Sequence, residues 1–303
     1  MDEAEINKKK KNVALLSIIS NSFLVLIKII TGFLIGSVSI ISEGMHSGLD
    51  LLAAIIAYFA VHLSSNPPDS KYNFGYGKIE NISGAAEAVL IFAAAVMIVI
   101  EAVKKLINPV PIEQLDLGIV IMFVSMLVNW FVSSRLMKTA KETDSAALEA
   151  DAWHLRTDIY TSLGVLLGLL LIRLTGIALL DPLFALGVAF IIAKVSYGLT
   201  KEAVTDLLDR RLNDDEEALI RKIIDQNCPC SQLNFHKLRT RKSGKDKFID
   251  LHLMVPPHFT VGQAHEMAHC IENSIAEAID NVRVLIHIEP YLENENKENP
   301  SDK

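Results

Sequence analysis

The residues best suited to chemistry in this chain are two copies of one pattern. His46-Ser-Gly-Leu-Asp50 and His154-Leu-Arg-Thr-Asp158 each lie inside a stretch apolar enough to cross a bilayer. Ionisable side chains at membrane depth are costly, so they point to function. Residues four apart share one helix face, about 6 Å apart along the axis. Two such helices face to face would present two imidazoles and two carboxylates, a donor set for a tetrahedral Zn2+ or similar ion. One pair alone reads equally as a histidine bonding a polar neighbour; two matched pairs at depth favour a metal site. Zn2+ leads, with Fe2+, Cd2+, Co2+ and Ni2+ behind it. Two histidines argue against Mg2+ and Ca2+, and the lack of a sulfur ligand in the motif argues against Cu+. Metal must displace the imidazole proton, so one site could exchange a cation for protons if it opens to one side at a time. The chain has no Gly-x-x-x-x-Gly-Lys-Ser/Thr run to supply ATP-driven transport, which leaves the secondary route.

The elements that must carry these ligands follow from hydropathy. Half of the 303 residues are hydrophobic (50%), and most of that apolarity falls before about residue 200. Spans are expected at residues 13–35, 38–63, 79–107, 115–137, 146–174 and 179–199, each near the length of about 20 residues that a bilayer requires. Six spans place both termini on one side. Lys8 to Lys11, Lys71, Lys78, Arg135, Lys138, Lys141, Lys201, Arg210 and Arg211 mark that side as cytoplasmic. Lys104 and Lys105 dissent, and snorkelling at a helix end accommodates them. Spans two and five are the least apolar and belong in the bundle interior. The domain expectation is a cytoplasmic tail at 1–12, a six-helix transmembrane domain at 13–206, a cytosolic domain at 207–290 and a disordered acidic tail at 291–303. No removable signal peptide is expected.

After the spans the pattern changes. A helix is expected at 214–227, strands at 233–240 and 247–255, a helix at 261–279 and a strand at 282–289. That α-β-β-α-β order suits helices layered on a small sheet. The net charge of −7 argues against nucleic acid as a partner. Cys228, Cys230 and Cys270 all lie in this part; an odd count indicates no disulfide framework and a reducing cytosol. Cys228-Pro-Cys230 reads as a turn with two idle thiols, or as a metal or redox pair. His287 and Glu289 are two apart on a strand and so share a face.

These features resemble the cation diffusion facilitator family. The resemblance runs from about residue 12 to 290 and includes Pro67-Pro-Asp-Ser-Lys-Tyr-Asn-Phe-Gly-Tyr-Gly-Lys78, Asp181-Pro182, Leu207-Leu-Asp-Arg210, His236-Lys-Leu-Arg-Thr-Arg241 and His287-Ile-Glu-Pro290. It implies a homodimer in the cell inner (plasma) membrane that exports divalent metal by proton antiport. It also implies a ferredoxin-like, metallochaperone-like cytosolic domain. By the same resemblance His46, Asp50, His154 and Asp158 are the transport ligands. His236, His252, His265, His287 and Glu289 match a cytosolic regulatory metal cluster, and Lys78 and Asp209 a dimer interlock. The chain departs from the family in the loop after span two. Asp69 matches a metal ligand there, but Tyr72 and Tyr76 stand where histidines would, so that site is expected to be absent or weak.

Two other readings are a membrane-anchored metal sensor or store that moves nothing, and a metalloprotease. The second rests on His265-Glu-Met-Ala-His269, a formal His-Glu-x-x-His match, in a small domain without an evident cleft. Lys28 and Glu87 within spans one and three could pair or line a path, His62 sits near a membrane interface, and His258 reads as a loop residue.

Overall fold

The computed structural model describes residues 3–35, 38–107, 115–175, 179–227 and 234–290; at some helical positions, His46 among them, only the backbone is described. The chain divides into two compact units, Met1–Val204 and Thr205–Lys303.

Among the described residues the first unit holds six long helices, the last of which runs on past its boundary: α1 (Glu3–Ile35), α2 (Val38–Ser64), α3 (Lys78–Ile107), α4 (Leu115–Thr143), α5 (Ala146–Thr175) and α6 (Leu180–Leu207). Among the described residues, α1, α2, α3 and α6 each contain a segment long and apolar enough to span a membrane. The helices overrun the apolar runs that predict them. α1 begins at Glu3 rather than near residue 13, so the expected tail is largely helical, and α4 and α6 continue to Thr143 and Leu207. Hydropathy measures the hydrocarbon thickness, whereas a helix goes on into the polar layer wherever its residues favour it.

Side-chain placement is inverted relative to a water-soluble bundle. Phe33, Leu34, Phe92 and Phe190 are exposed, while Ser17, Asn21, Asp50, Glu87, Asp151 and His154 are buried. Small residues such as Ala53, Ala54, Ala57, Ala88 and Ala152 fill the contacts between helices. Lipid is as apolar as leucine, so close backbone approach and internal polar bonds hold such bundles together. Gly44 shows the requirement: a Cβ there would lie 2.8 Å from Ile29 Cγ1 and 3.3 Å from the Ile29 backbone nitrogen, so α2 lies against α1 only because position 44 has no side chain. One turn along, the buried Lys28 ammonium donates to Ser47 Oγ at 2.8 Å.

At the other end of these helices a buried ion pair links four elements. Lys10 on α1 pairs with Glu80 on α3. Ser64 at the end of α2 donates to the same carboxylate at 2.6 Å, and Ser145 before α5 donates to its second oxygen. A buried charge needs such complete pairing.

In the second unit, α7 (Asp214–Asn227) and α8 (Val261–Ala278) accompany a sheet of β1 (Asn234–Ser243), β2 (Asp246–Val255) and β3 (Val282–Pro290) in the order β1-β2-β3. β1 and β2 are antiparallel, whereas β3 runs parallel to β2 after the α8 crossover. The hairpin is tighter than its sequence predicts. The ladder runs on to Ser243 opposite Asp246, because Gly244 at φ 60° turns the chain in two residues. Ile220, Ile224, Ile249, Leu251, Leu253, Ile271 and Ile275 form the core. α8 opens with a capping box in which Thr260 and Gln263 satisfy each other's backbone amides. Cys228 and Cys230 and the 291–303 tail lie outside the described residues.

Candidate metal centres

The first site sits between α2 and α5. Asp50 and His154 are buried, and His154 Nε2 lies 3.1 Å from Asp50 Oδ1. Asp158, one turn further along α5, completes a group in which one ligand atom from each residue falls within 4.8 Å of the others. Around a tetrahedral ion with bonds of about 2.0–2.2 Å, ligand atoms stand a little over 3 Å apart. Small side-chain adjustments would close these three on a shared cation. His46 occupies α2 one turn before Asp50; its side chain lies outside the described residues. The structure therefore brings together three of the four residues singled out by the repeated pattern, one from α2 and two from α5. Thr157 donates its hydroxyl to the His154 carbonyl at 2.7 Å, one turn back on the same helix.

The second site lies on the sheet. Pairing sets His236 opposite His252 and His252 opposite His287, one histidine per strand in a single row. The His236 and His252 rings are 5.3 Å apart and those of His252 and His287 are 4.8 Å apart. Glu289, two residues past His287 and so on the same face, reaches across. Its Oε1 lies 2.8 Å from His252 Nδ1, and its Oε2 lies 3.0 Å from His236 Nε2. His236, His252 and Glu289 offer ligand atoms within 4.8 Å, while His287 Nε2 stands 3.7 Å from the carboxylate. Desolvation raises the Glu289 carboxyl pKa, but hydrogen bonding and charge from His252, with charge from His236 and Lys237, outweigh it and hold the group below the ordinary glutamate range. The β1 register shifts just after His236, where Lys237 adopts φ 52°. That bulge re-aims the strand beside a candidate ligand, and it has no single-residue sequence signal.

His265 is outside this group. It is exposed on α8, and its ring stacks on that of His269 at 6.0 Å, so the His-Glu-x-x-His residues line an open helix surface. Asp209 pairs with Arg241 at 3.4 Å within the second unit, while Lys78 opens α3 in the first.

Asp69 is committed to its own loop. Its Oδ1 accepts the Lys71 and Tyr72 amides at 2.8 and 2.7 Å, and its Oδ2 accepts the Tyr76 hydroxyl at 2.6 Å. The Tyr76 bond first, then the two amides, lowers its pKa, and the same bond raises that of Tyr76. A depressed carboxyl contributes order above its unfolded value near 3.9 and loses that contribution as pH falls through the lower folded value. Exchange of the Lys71 and Tyr72 amides, relative to the intrinsic rate at each pH, should therefore speed up on acidification below about pH 4. Asp69→Ala should accelerate it at neutral pH while leaving metal stoichiometry unchanged; a lost equivalent of bound metal would make Asp69 a ligand.

Comparison with known proteins gives consistent matches. The cation efflux transmembrane domain matches residues 14–208, and the cytoplasmic domain of cation efflux proteins matches residues 212–291. An uncharacterized transporter, sll1263 of Synechocystis sp., is 37% identical over 269 residues, 88% of this chain and 86% of its own length. The cation-efflux pump FieF of Escherichia fergusonii is 33% identical, with 89% of each chain covered. Among solved structures, the metal-bound C-terminal domain of the CzcD transporter from Thermotoga maritima is 26% identical over 29% of this chain and 100% of that one, with a TM-score of 0.24.

Proposed function

Since the chain belongs to the cation efflux (cation diffusion facilitator) family, whose members are multi-pass membrane transporters of divalent cations and not enzymes, we propose that it expels Zn2+ from the cytoplasm in exchange for protons. The observation that carries this reading is the convergence of Asp50, His154 and Asp158, from two helices, inside the bundle. His46 is the proposed fourth ligand. Two carboxylates balance the charge of a dication, and imidazole tilts the site toward zinc and its neighbours over Mg2+. Fe2+, Cd2+, Co2+ and Ni2+ are the competing cargoes.

Protons and metal compete for the same lone pairs. Cytoplasmic metal binds when the imidazoles are neutral; once the bundle rocks, protons from the far side displace it and the empty site resets. The protein works as a homodimer in the bacterial inner membrane with both termini cytoplasmic. The cytosolic histidine row is its metal sensor, and Lys78 and Asp209 take part in the dimer contact. The test is Zn2+ flux into vesicles carrying the full chain, with and without an imposed pH gradient. Uphill flux that collapses with the gradient is expected. Flux indifferent to the gradient would remove the antiport step, and tight binding without flux would make the protein an anchored sensor.

A further inference from the structure

Two buried carboxylates have no part in the mechanism above. Glu87 on α3 and Asp151 on α5 are both fully shielded from solvent, at 0% exposure. Among the described residues, Glu87 Oε2 and both Asp151 oxygens make no hydrogen bond. Glu87 Oε1 has one long bond, from Ser83 Oγ at 3.4 Å. Ser17 on α1 lies beside Asp151, yet its hydroxyl also makes no bond of normal geometry. Packing explains how they meet. Gly84 lies where α3 packs on α5: a Cβ there would make ordinary contact, 3.5 Å from the Ala146 carbonyl oxygen and 3.7 Å from Ala150 Cβ. Glu87 and Asp151 follow directly on these two helices, within electrostatic reach of one another and of His154.

Asp151 precedes His154 by three residues, about 4.5 Å along the helix toward its N-terminus. The pair therefore stands between the Lys10–Glu80–Ser145 end of the bundle and the transport ligands. Unpaired carboxylates at such depth are destabilising unless a cation or proton joins them.

We propose that Glu87, Asp151 and Ser17 form a staging site that receives a divalent cation before it passes to Asp50, His154 and Asp158. This rests on the transport reading above. The site is oxygen-only, so unlike the imidazole-bearing site beyond it, it accepts hard cations such as Mg2+ as well as Zn2+. Its contribution is local concentration. Two like charges within reach of one another attract a counter-ion and so hold it beside the ligands that follow.

The experiment is initial Zn2+ flux by the full chain in vesicles, with Asp151→Asn, Glu87→Gln and the charge-keeping Asp151→Glu, each under one fixed pH gradient. The neutral variants should raise KM about tenfold or more with little change in maximal rate, and Asp151→Glu should restore most of it. Mg2+ should inhibit the unaltered chain competitively and lose that effect in Asp151→Asn. Unchanged KM in both neutral variants, or equal defects in Asp151→Asn and Asp151→Glu, would overturn the staging site. Asp50→Ala in the same vesicles separates the two ideas: normal flux there defeats the transport reading itself, whereas lost flux beside unaffected Asp151→Asn and Glu87→Gln defeats staging alone.

Discussion

Asp50→Ala should reduce Zn2+ flux by on the order of 10²–10³-fold, because removing one member of a buried charged set costs about 3–5 kcal/mol. Asp50 does two things that no neighbour can take over. Its Oδ1 stands 3.1 Å from His154 Nε2, and so aims that ring. Its charge joins that of Asp158 in balancing the dication. With alanine at position 50 a cation would leave water for a site holding one carboxylate, and the lost hydration would go uncompensated. Asp158→Ala should match it, since the group draws one oxygen from each carboxylate. Asp50→Asn keeps the shape but not the charge, so it should also fail. A melt in detergent distinguishes ligand loss from misfolding: a variant that keeps a cooperative transition above the assay temperature and still carries no flux has lost the ligand and not the fold, even where loss of the His154 partner lowers its melting point. Flux at the unaltered rate in either alanine variant would end the assignment of this site.

Much of this was legible in the chain, for reasons that differ by element. The repeated His-x-x-x-Asp spacing survives translation into structure because four residues make one helical turn whatever surrounds it. The pairing of α2 with α5 was not derivable from spacing, since it depends on small residues such as Ala53 and Ala152 that permit approach anywhere. The histidine row was half legible. His287 and Glu289 share a face by alternation, but only the register of the β1 and β3 ladders sets His236 and His287 on either side of His252. Lys10 reads as one of four lysines marking a cytoplasmic end, and nothing local reveals that it is buried against Glu80. Glu87 stands out as a charge in an apolar span, but the burial of Glu87 Oε2 and of both Asp151 oxygens without hydrogen bonds among the described residues is a property of packing and not of sequence.

His252→Ala should lower the metal affinity of the cytosolic site at least about 100-fold, the upper range seen for lesser, outer-shell changes at metal sites. His252 is the middle of the row: it touches Glu289 at 2.8 Å and its ring neighbours both other histidines. The fold should tolerate the change, because the core of Ile220, Ile249, Leu251, Ile271 and Ile275 lies elsewhere and none of these residues ligates. Acid should also weaken binding by the unaltered protein. An imidazole must be unprotonated to ligate, so protons compete with the metal and affinity should fall as the pH is lowered from about 7.5 to 5.5. Glu289 does not contribute to that loss. Its carboxyl is held below the ordinary range, so it stays ionised across the window and its contribution fails only at lower pH. Titration calorimetry with Zn2+ at several pH values, on the unaltered chain and on Asp50→Ala to silence the transport site, isolates the term. A pH-independent affinity, or undiminished binding in His252→Ala, would mean that the row on the sheet is not where the metal sits.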